Sequence, residues 1–549
     1  MAEPNNIAPQ PVPRKRLRHR LPRSWRQHWK LVAVLGVFSL ALLVTLKDVG
    51  IKPYITGDVE IAAADITEDL AGTVDLFDTS VDHEVSIDIT DVEYDDMVES
   101  YQKDGEKKWV TATVTIDGTV INDVAVRLKG NSTLMGLRGA SGGGGEGRPG
   151  RGGMQPPEGM ELPDGMELPE GMELPEGMQM PEGMEPPEGM EMPEGGMVGG
   201  PGGGGMGAMS QASADDPTSL PLLLSFNENV EGRAYQGMTE ISVRPGSPVI
   251  NEAMALSLTK AADLPTQDYG YAVYSVNGSD TTTRLLLAHP DENMANNLFD
   301  SPGYLYKADA SSQLAYVDDD QSSYSDQFKQ VNASDDGTLQ PIIDFLKWMD
   351  EADDEEFAAD LDEWVDVDSL ASYLAMQNLI VNGDDMGGPG QNYYLWYDLE
   401  SEKLSVISWD LNLAMQGDAT LGPDDETGMG AGMGGGMFGG GNRAGEDQGG
   451  AQEGMAPERT QQAGGIRGGN ALKERFLASE DLKTVYTEAY WELFDKVYAD
   501  GTAADILAGL AESVPTSDSL SAEDLETAIN TMSEWVNQRT STLKKARKE

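Results

Sequence analysis

Between residues 57 and 130 apolar and polar positions alternate, first in EVSIDITDVEYDDM and then in WVTATVTIDGTVINDVAVRLKG. This period of two, rich in Val, Ile and Thr, predicts antiparallel strands. Asp117-Gly118 marks a hairpin turn within them. After a long break the pattern resumes. LPLLLSF reads as a strand, and residues 248–264 carry apolar positions at helical spacing. YGYAVYSVNG and TRLLLAH form a hairpin across Asn277-Gly278. Residues 338–381 predict helices, with Asp368 as a candidate N-cap. NYYLWYD (392–398) and KLSVISWD (403–410) predict another hairpin, and 470–499 and 521–546 read as amphipathic helices. The fold class is therefore α+β, a mixed sheet with a helical C-terminal part.

Two stretches break the pattern. From Met154 to Gly195 a six-residue unit repeats seven times, MQPPEG, MELPDG, MELPEG, MELPEG, MQMPEG, MEPPEG and MEMPEG. Proline and glycine in every unit exclude helix and sheet interiors. Residues 139–218 are thus expected to form a disordered anionic insert, and 417–469 a second, Gly/Met-rich one. The remaining blocks are 57–138, 219–416 and 470–549. Leu31–Leu46 is uncharged and apolar, between a basic run ending at Lys30 and Lys47. With its tryptophan flank it predicts a transmembrane signal anchor over 31–47, with 1–30 cytoplasmic and the bulk of the chain extracytoplasmic. A cleaved signal peptide is the competing reading, but no small-residue cleavage site lies directly after Leu46, and the Ala62–Ala64 patch is far downstream.

Charge and composition narrow the chemistry. The formal net charge is −56. Residues 1–30 hold eight Lys/Arg and one acidic residue, so the rest is more acidic still. This balance argues against nucleic acid and suits divalent cations or basic protein substrates. Cysteine is absent and only four histidines occur, His19, His28, His83 and His289. Any metal would be a hard cation on oxygen ligands.

Candidate chemistry concentrates in Val381–Ala414. A helix ends in Asn382-Gly383-Asp384-Asp385, a glycine-rich loop follows, Asn392 opens a strand, and the next strand ends in Trp409-Asp410-Leu411-Asn412. The hairpin should bring Asn392 beside Asp410, with Asp384 and Asp385 on the adjoining loop. Carboxylates and a carboxamide in this order suit Mg or Mn and parallel phosphoryl transfer in protein kinases, where a catalytic Asp, a metal-binding Asn and a metal-binding Asp recur. For any one of these residues, turn formation or capping is the competing reading.

At these residues the chain resembles the CotH (spore-coat protein H) family of atypical protein kinases. Further matches are Arg127-Leu128-Lys129-Gly130-Asn131-Ser132-Thr133, VYSVNG (273–278) followed by GYLYKAD (303–309), and Asn470-Ala471-Leu472 leading to Arg475. The resemblance implies an atypical kinase fold transferring the ATP γ-phosphoryl group to Ser/Thr of proteins with Mg or Mn. It implies that Asp410 binds the metal, with Asn392 and Asn412 assisting, and that Asp385 or Asp384 is the catalytic carboxylate. Gly130, Asn131 and Ser132 would shape a nucleotide-facing turn, and Lys129 or Lys307 would neutralise phosphates. The chain departs from the family at Ser219-Leu220-Pro221, where members carry basic residues, and at Ala288, where Glu is common. The alternative function is a non-catalytic surface or envelope protein that keeps the fold.

Overall fold

Apolar alternation along β2 (His83–Ile89), β3 (Val110–Ile116) and β4 (Thr119–Leu128) buries every second side chain of the first two strands, as a sheet with one face inward requires. These elements belong to a computed structural model that describes residues 66–130, 132–138, 212–291, 293–294, 298–299, 301–332, 338–428 and 470–548. The expected anchor and the repetitive parts of both inserts lie outside the described residues. Among the described residues no helix is long and apolar enough to cross a membrane.

The expected mixed sheet resolves, among the described residues, into a barrel, a four-stranded sheet and a short two-stranded pair. β2, β3, β4, β5 (Leu222–Ser225), β7 (Glu240–Val243), β9 (Thr282–Ala288) and β8 (Tyr269–Val276) close into a barrel in that order. Parallel pairing of β2 with β8, Val85 opposite Tyr274, seals it. A core of Val85, Ile87, Val114, Val126, Leu224, Tyr274 and their neighbours fills this unit. The second sheet has the order β11 (Phe328–Gln330), β10 (Gly303–Ala308), β12 (Tyr393–Asp398), β13 (Leu404–Ser408). A short pair, β1 (Glu68–Leu70) with β6 (Arg233–Tyr235), runs parallel.

Both hairpin turns read from the sequence are present, with positive φ at Asp117 (48°) and Gly118 (79°) and at Asn277 (53°) and Gly278 (69°). The strand reading of DVEYDDM fails. Asp91–Asp104 is a helix, α1, capped by Thr90 and closed by Gly105 at φ 75°. Met97, Val98 and Tyr101 form its buried face, a helical spacing hidden behind the preceding alternation. The remaining helices are α2 (Ile250–Ala261), α3 (Gln340–Glu351), α4 (Asp354–Asp360), α5 (Val367–Leu379), α6 (Ala471–Ala478), α7 (Glu480–Phe494), α8 (Thr502–Ser513) and α9 (Ala522–Ala546). Asp366, not Asp368, caps α5, accepting from the Ser369 amide at 3.0 Å; Asp368 lies in the first turn.

The four-stranded, lower sheet and helices α2–α9 share one large core, which also takes in Tyr271, Leu285 and Leu287 of the barrel strands, whereas α1 packs into the barrel core. Arg539 of α9 ties this region together. Fully buried, it donates to the carbonyls of Leu379 (3.1 Å), Asn378 (2.7 Å) and Leu421. The cleft between the barrel and the lower sheet is where the candidate residues meet.

Candidate active site

The acidic side is built locally. α5 runs out at Leu379, and Val381 takes a positive φ of 48°, turning the chain into the 382–391 loop. Asp384 folds back over that loop. One carboxylate oxygen accepts from the Gly390 amide at 2.7 Å and the other from Asn392 Nδ2 at 3.0 Å. The glycines permit this closeness: a Cβ on Gly388 would stand 2.6 Å from Asp384 Cα, and one on Gly390 would stand 2.9 Å from Asn392 Nδ2. Asp385 points to the other side of the loop, accepting from the Gly387 amide at 2.8 Å and pairing with Lys473 of α6. Asn470 caps α6 and also holds the loop, giving its Nδ2 to the Met386 carbonyl at 3.1 Å.

The hairpin supplies the next group. Tyr393 pairs with Ser408, so Asn392 and the Trp409-Asp410 step meet at one end. Asp410 sits in the left-handed region, φ 54° and ψ 61°, an uncommon conformation for a residue with a Cβ. Its carboxylate joins Arg244, which also pairs with Glu252 of α2. Burial pushes Asp410 up, but the Arg244 charge and hydrogen bond, with Lys129 and Lys307, together outweigh it and hold the carboxyl below its ordinary value. Asp384 is raised to about 6, chiefly by burial and further by the nearby Asp410 and Asp385 charges.

The cationic side comes from the barrel and the lower sheet. Lys129, just past β4, donates to Ser242 and stands 3.3 Å from His289 Nδ1. Lys129 and Lys307 lie over the same Trp409 ring, 5.0 and 5.2 Å from its centroid. His289 touches that ring edge-on at 5.5 Å. Burial lowers Lys129 and His289 well below their ordinary values, and the surrounding cations lower them further. Beyond His289 opens a cavity of about 580 Å³, lined in part by Phe77, Met238, Thr266, Asp268 and Asp291.

The cleft thus gathers Asp384, Asn392, Asp410, Lys129 and Lys307. Asp385 is adjacent but committed to Lys473. Asn412 is drawn in through its backbone carbonyl, which accepts from Asn251 and Gln416 at 2.8 Å each. Gly130 has φ 92°, and Ser132 begins a 3-10 turn to Arg138; Asn131 lies outside the described residues. Sequence reasoning missed Arg244, Glu252, His289 and Lys473. Arg244 and Glu252 stand eight residues apart, a spacing that means nothing until a strand and a helix are known to face each other.

Among the described residues no three of His, Asp and Glu form a ready metal cluster. Asp410 and the Asn392 carboxamide oxygen, whose Nδ2 is already given to Asp384, are hard oxygen donors of the kind Mg and Mn take. The donor set fits such an ion.

A protein-family model described as CotH kinase protein matches residues 229–543, more than half of the chain. Comparison with curated proteins gives no match.

Proposed function

Because the chain belongs to the CotH kinase protein family, we propose that its cleft binds a nucleoside triphosphate and transfers the terminal phosphoryl group to Ser/Thr hydroxyls of a protein. The observation that carries this reading is Arg244, joined at once to Glu252 of a helix and to Asp410 at a strand end. Protein kinases couple a strand cation, a helix Glu and a metal-binding Asp in the same cleft. Lys129 and Lys307 supply positive charge for the phosphates. The neighbouring cavity has the volume of a small-molecule site. Its Asp268 and Asp291 suit the amino and hydroxyl groups of a nucleoside, not its phosphates.

Asp384, held near pH 6 by burial, is the better placed general base, because a base works best with a pKa near the operating pH. Its hydrogen bond to Asn392 fixes the carboxylate in the cleft, whereas Asp385 is paired with Lys473 and holds the loop. An Mg or Mn ion on Asp410 and Asn392 would, when bound, neutralise charge developing on the phosphoryl group. Leu31–Leu46, apolar and preceded by a basic run, supports a membrane anchor with the kinase-like region outside the cytoplasm. Protease protection in vesicles tests that placement.

The primary test is thermal stability of the full-length chain, in mild detergent, with ATP and Mn. A ligand that binds only the native state raises the melting temperature. We expect a rise that Asp410→Ala abolishes. No shift at millimolar ATP would favour a non-catalytic envelope protein that keeps the fold.

A further inference from the structure

Strand β7 turns one face to the barrel core and the other to the cleft. Ile241 and Val243 lie in the core, so Glu240, Ser242 and, one residue past the strand, Arg244 share the opposite face. Arg244 is taken up by Glu252 and Asp410. Glu240 and Ser242, about 7 Å apart along the strand, flank a single side chain, His289. The His289 amide donates to the Glu240 carbonyl at 3.2 Å, which sets the ring beside β7. Its Nδ1 then lies 3.2 Å from Ser242 Oγ, and its Nε2 3.6 Å from Glu240 Oε2.

The direction of the hydrogen bonds follows from what each group can give. Lys129 donates to Ser242 Oγ. The Ser242 hydroxyl, fully buried, has one hydrogen of its own, and His289 Nδ1 stands within reach to accept it. That order needs a bare Nδ1 and a proton on Nε2, where the N–H faces the Glu240 carboxylate. The opposite tautomer would aim an Nδ1–H at Lys129 Nζ, 3.3 Å away, and a lone pair at Glu240, and both contacts are unfavourable. Burial, Lys129 and Lys307 hold His289 well below its ordinary pKa, so the ring is neutral and keeps a lone pair to offer. A residue that only packed on the Trp409 ring would need no such polar order.

We infer that His289 is a positioning residue for Lys129. Glu240 orients the imidazole, the bare Nδ1 aligns the Ser242 hydroxyl, and the pair holds the Lys129 amine over Trp409. The inference rests on the function proposed above only for what Lys129 is held to meet, the nucleotide.

Two measurements on the full-length chain in mild detergent test it. NMR with isotope-labelled histidine reads the tautomer. The chain has four histidines, and the signal missing from His289→Asn identifies His289. A proton on Nε2 is expected in the parent, and a mixture of tautomers in Glu240→Ala. A proton on Nδ1 in the parent, or no change in Glu240→Ala, overturns the inference. Calorimetric titration with ATP and Mn reads the consequence. His289→Ala should weaken ATP about tenfold, the worth of one strong hydrogen bond. His289→Asn, whose carboxamide oxygen can stand where Nδ1 stood, should recover most of that loss. In a Lys129→Ala background His289→Ala should cost nothing further. The same loss in both backgrounds, or no recovery by Asn, shows a packing role and overturns the inference. Where His289→Ala does not fold, Ser242→Ala takes its place in the cycle. A parent that binds no ATP removes the nucleotide reading, and the tautomer alone then decides whether His289 holds Lys129.

Discussion

Asp384, Asp385, Asn392 and Asp410 come from one continuous stretch of chain, whereas Lys129, Arg244 and His289, which face them, come from three separate barrel strands or strand ends. The acidic side is held mainly by neighbours in sequence. Gly387 and Gly390 amides and the Asn392 carboxamide fix the two aspartates. The cationic side exists only when β4, β5, β7 and β9 close side by side. One side of the cleft is a local fold, the other a consequence of tertiary closure, and Arg244 is where they lock. Perturbing the barrel should therefore disarm the site before the acidic loop itself is disturbed.

The largest expected effect is at the lock. Arg244→Ala leaves Glu252 and Asp410 without their cation and should cost about 3–5 kcal/mol in urea unfolding, the range for breaking a buried ion pair. A loss under about 1 kcal/mol, within the range of exposed pairs, would mean that the two sides stand independently. Next is Lys473→Ala, which strands Asp385, only 5% exposed. Lys473 is itself partly solvated, at 27%, so a loss of about 1–3 kcal/mol is expected. Asp385→Asn in the same background should recover part of it; no recovery would mean that Lys473 acts through packing instead.

The smallest effect depends on pH. Asp384 has its folded-state pKa raised from 3.8 to about 6 by burial. Between those values the native state binds the proton and the unfolded state does not, so this group's contribution to stability falls as pH rises from about 4 to 6. Asp384→Asn removes that dependence. Relative to the parent, the variant should gain about 2–3 kcal/mol on going from pH 4 to pH 7.5. Denaturant melts at the two pH values measure this, and a flat difference would place Asp384 in a more solvated setting.

How much was legible follows the same division. The hairpins at Asp117-Gly118 and Asn277-Gly278 could be read because turn chemistry is local, and the acidic stretch because its order is contiguous. Helix α1 was misread because DVEYDDM continues the alternation of β2 for a few residues, and only Thr90 and Gly105 mark its ends. Barrel closure was not legible, since β2 pairs with β8 across nearly two hundred residues and no local pattern encodes that meeting. Arg244 and Glu252 were missed for the same reason. Departures from the family at Ser219-Leu220-Pro221 remove cations from the start of β5, and Arg244 and Lys129, on neighbouring strands, put positive charge back into the cleft. A residue-by-residue comparison of β5 alone registers the loss and not the replacement.

Arg539 sets a schedule for synthesis. It reaches from the last helix to the carbonyls at the end of α5, just before the acidic loop. Everything the cleft needs in the way of reactive groups has been made long before residue 539 is added. A nascent chain therefore carries the side chains of the cleft before Arg539 is present to secure the end of α5. A stop codon or a protease cut before residue 539 would remove the bonds that hold the start of the acidic loop to the last helix.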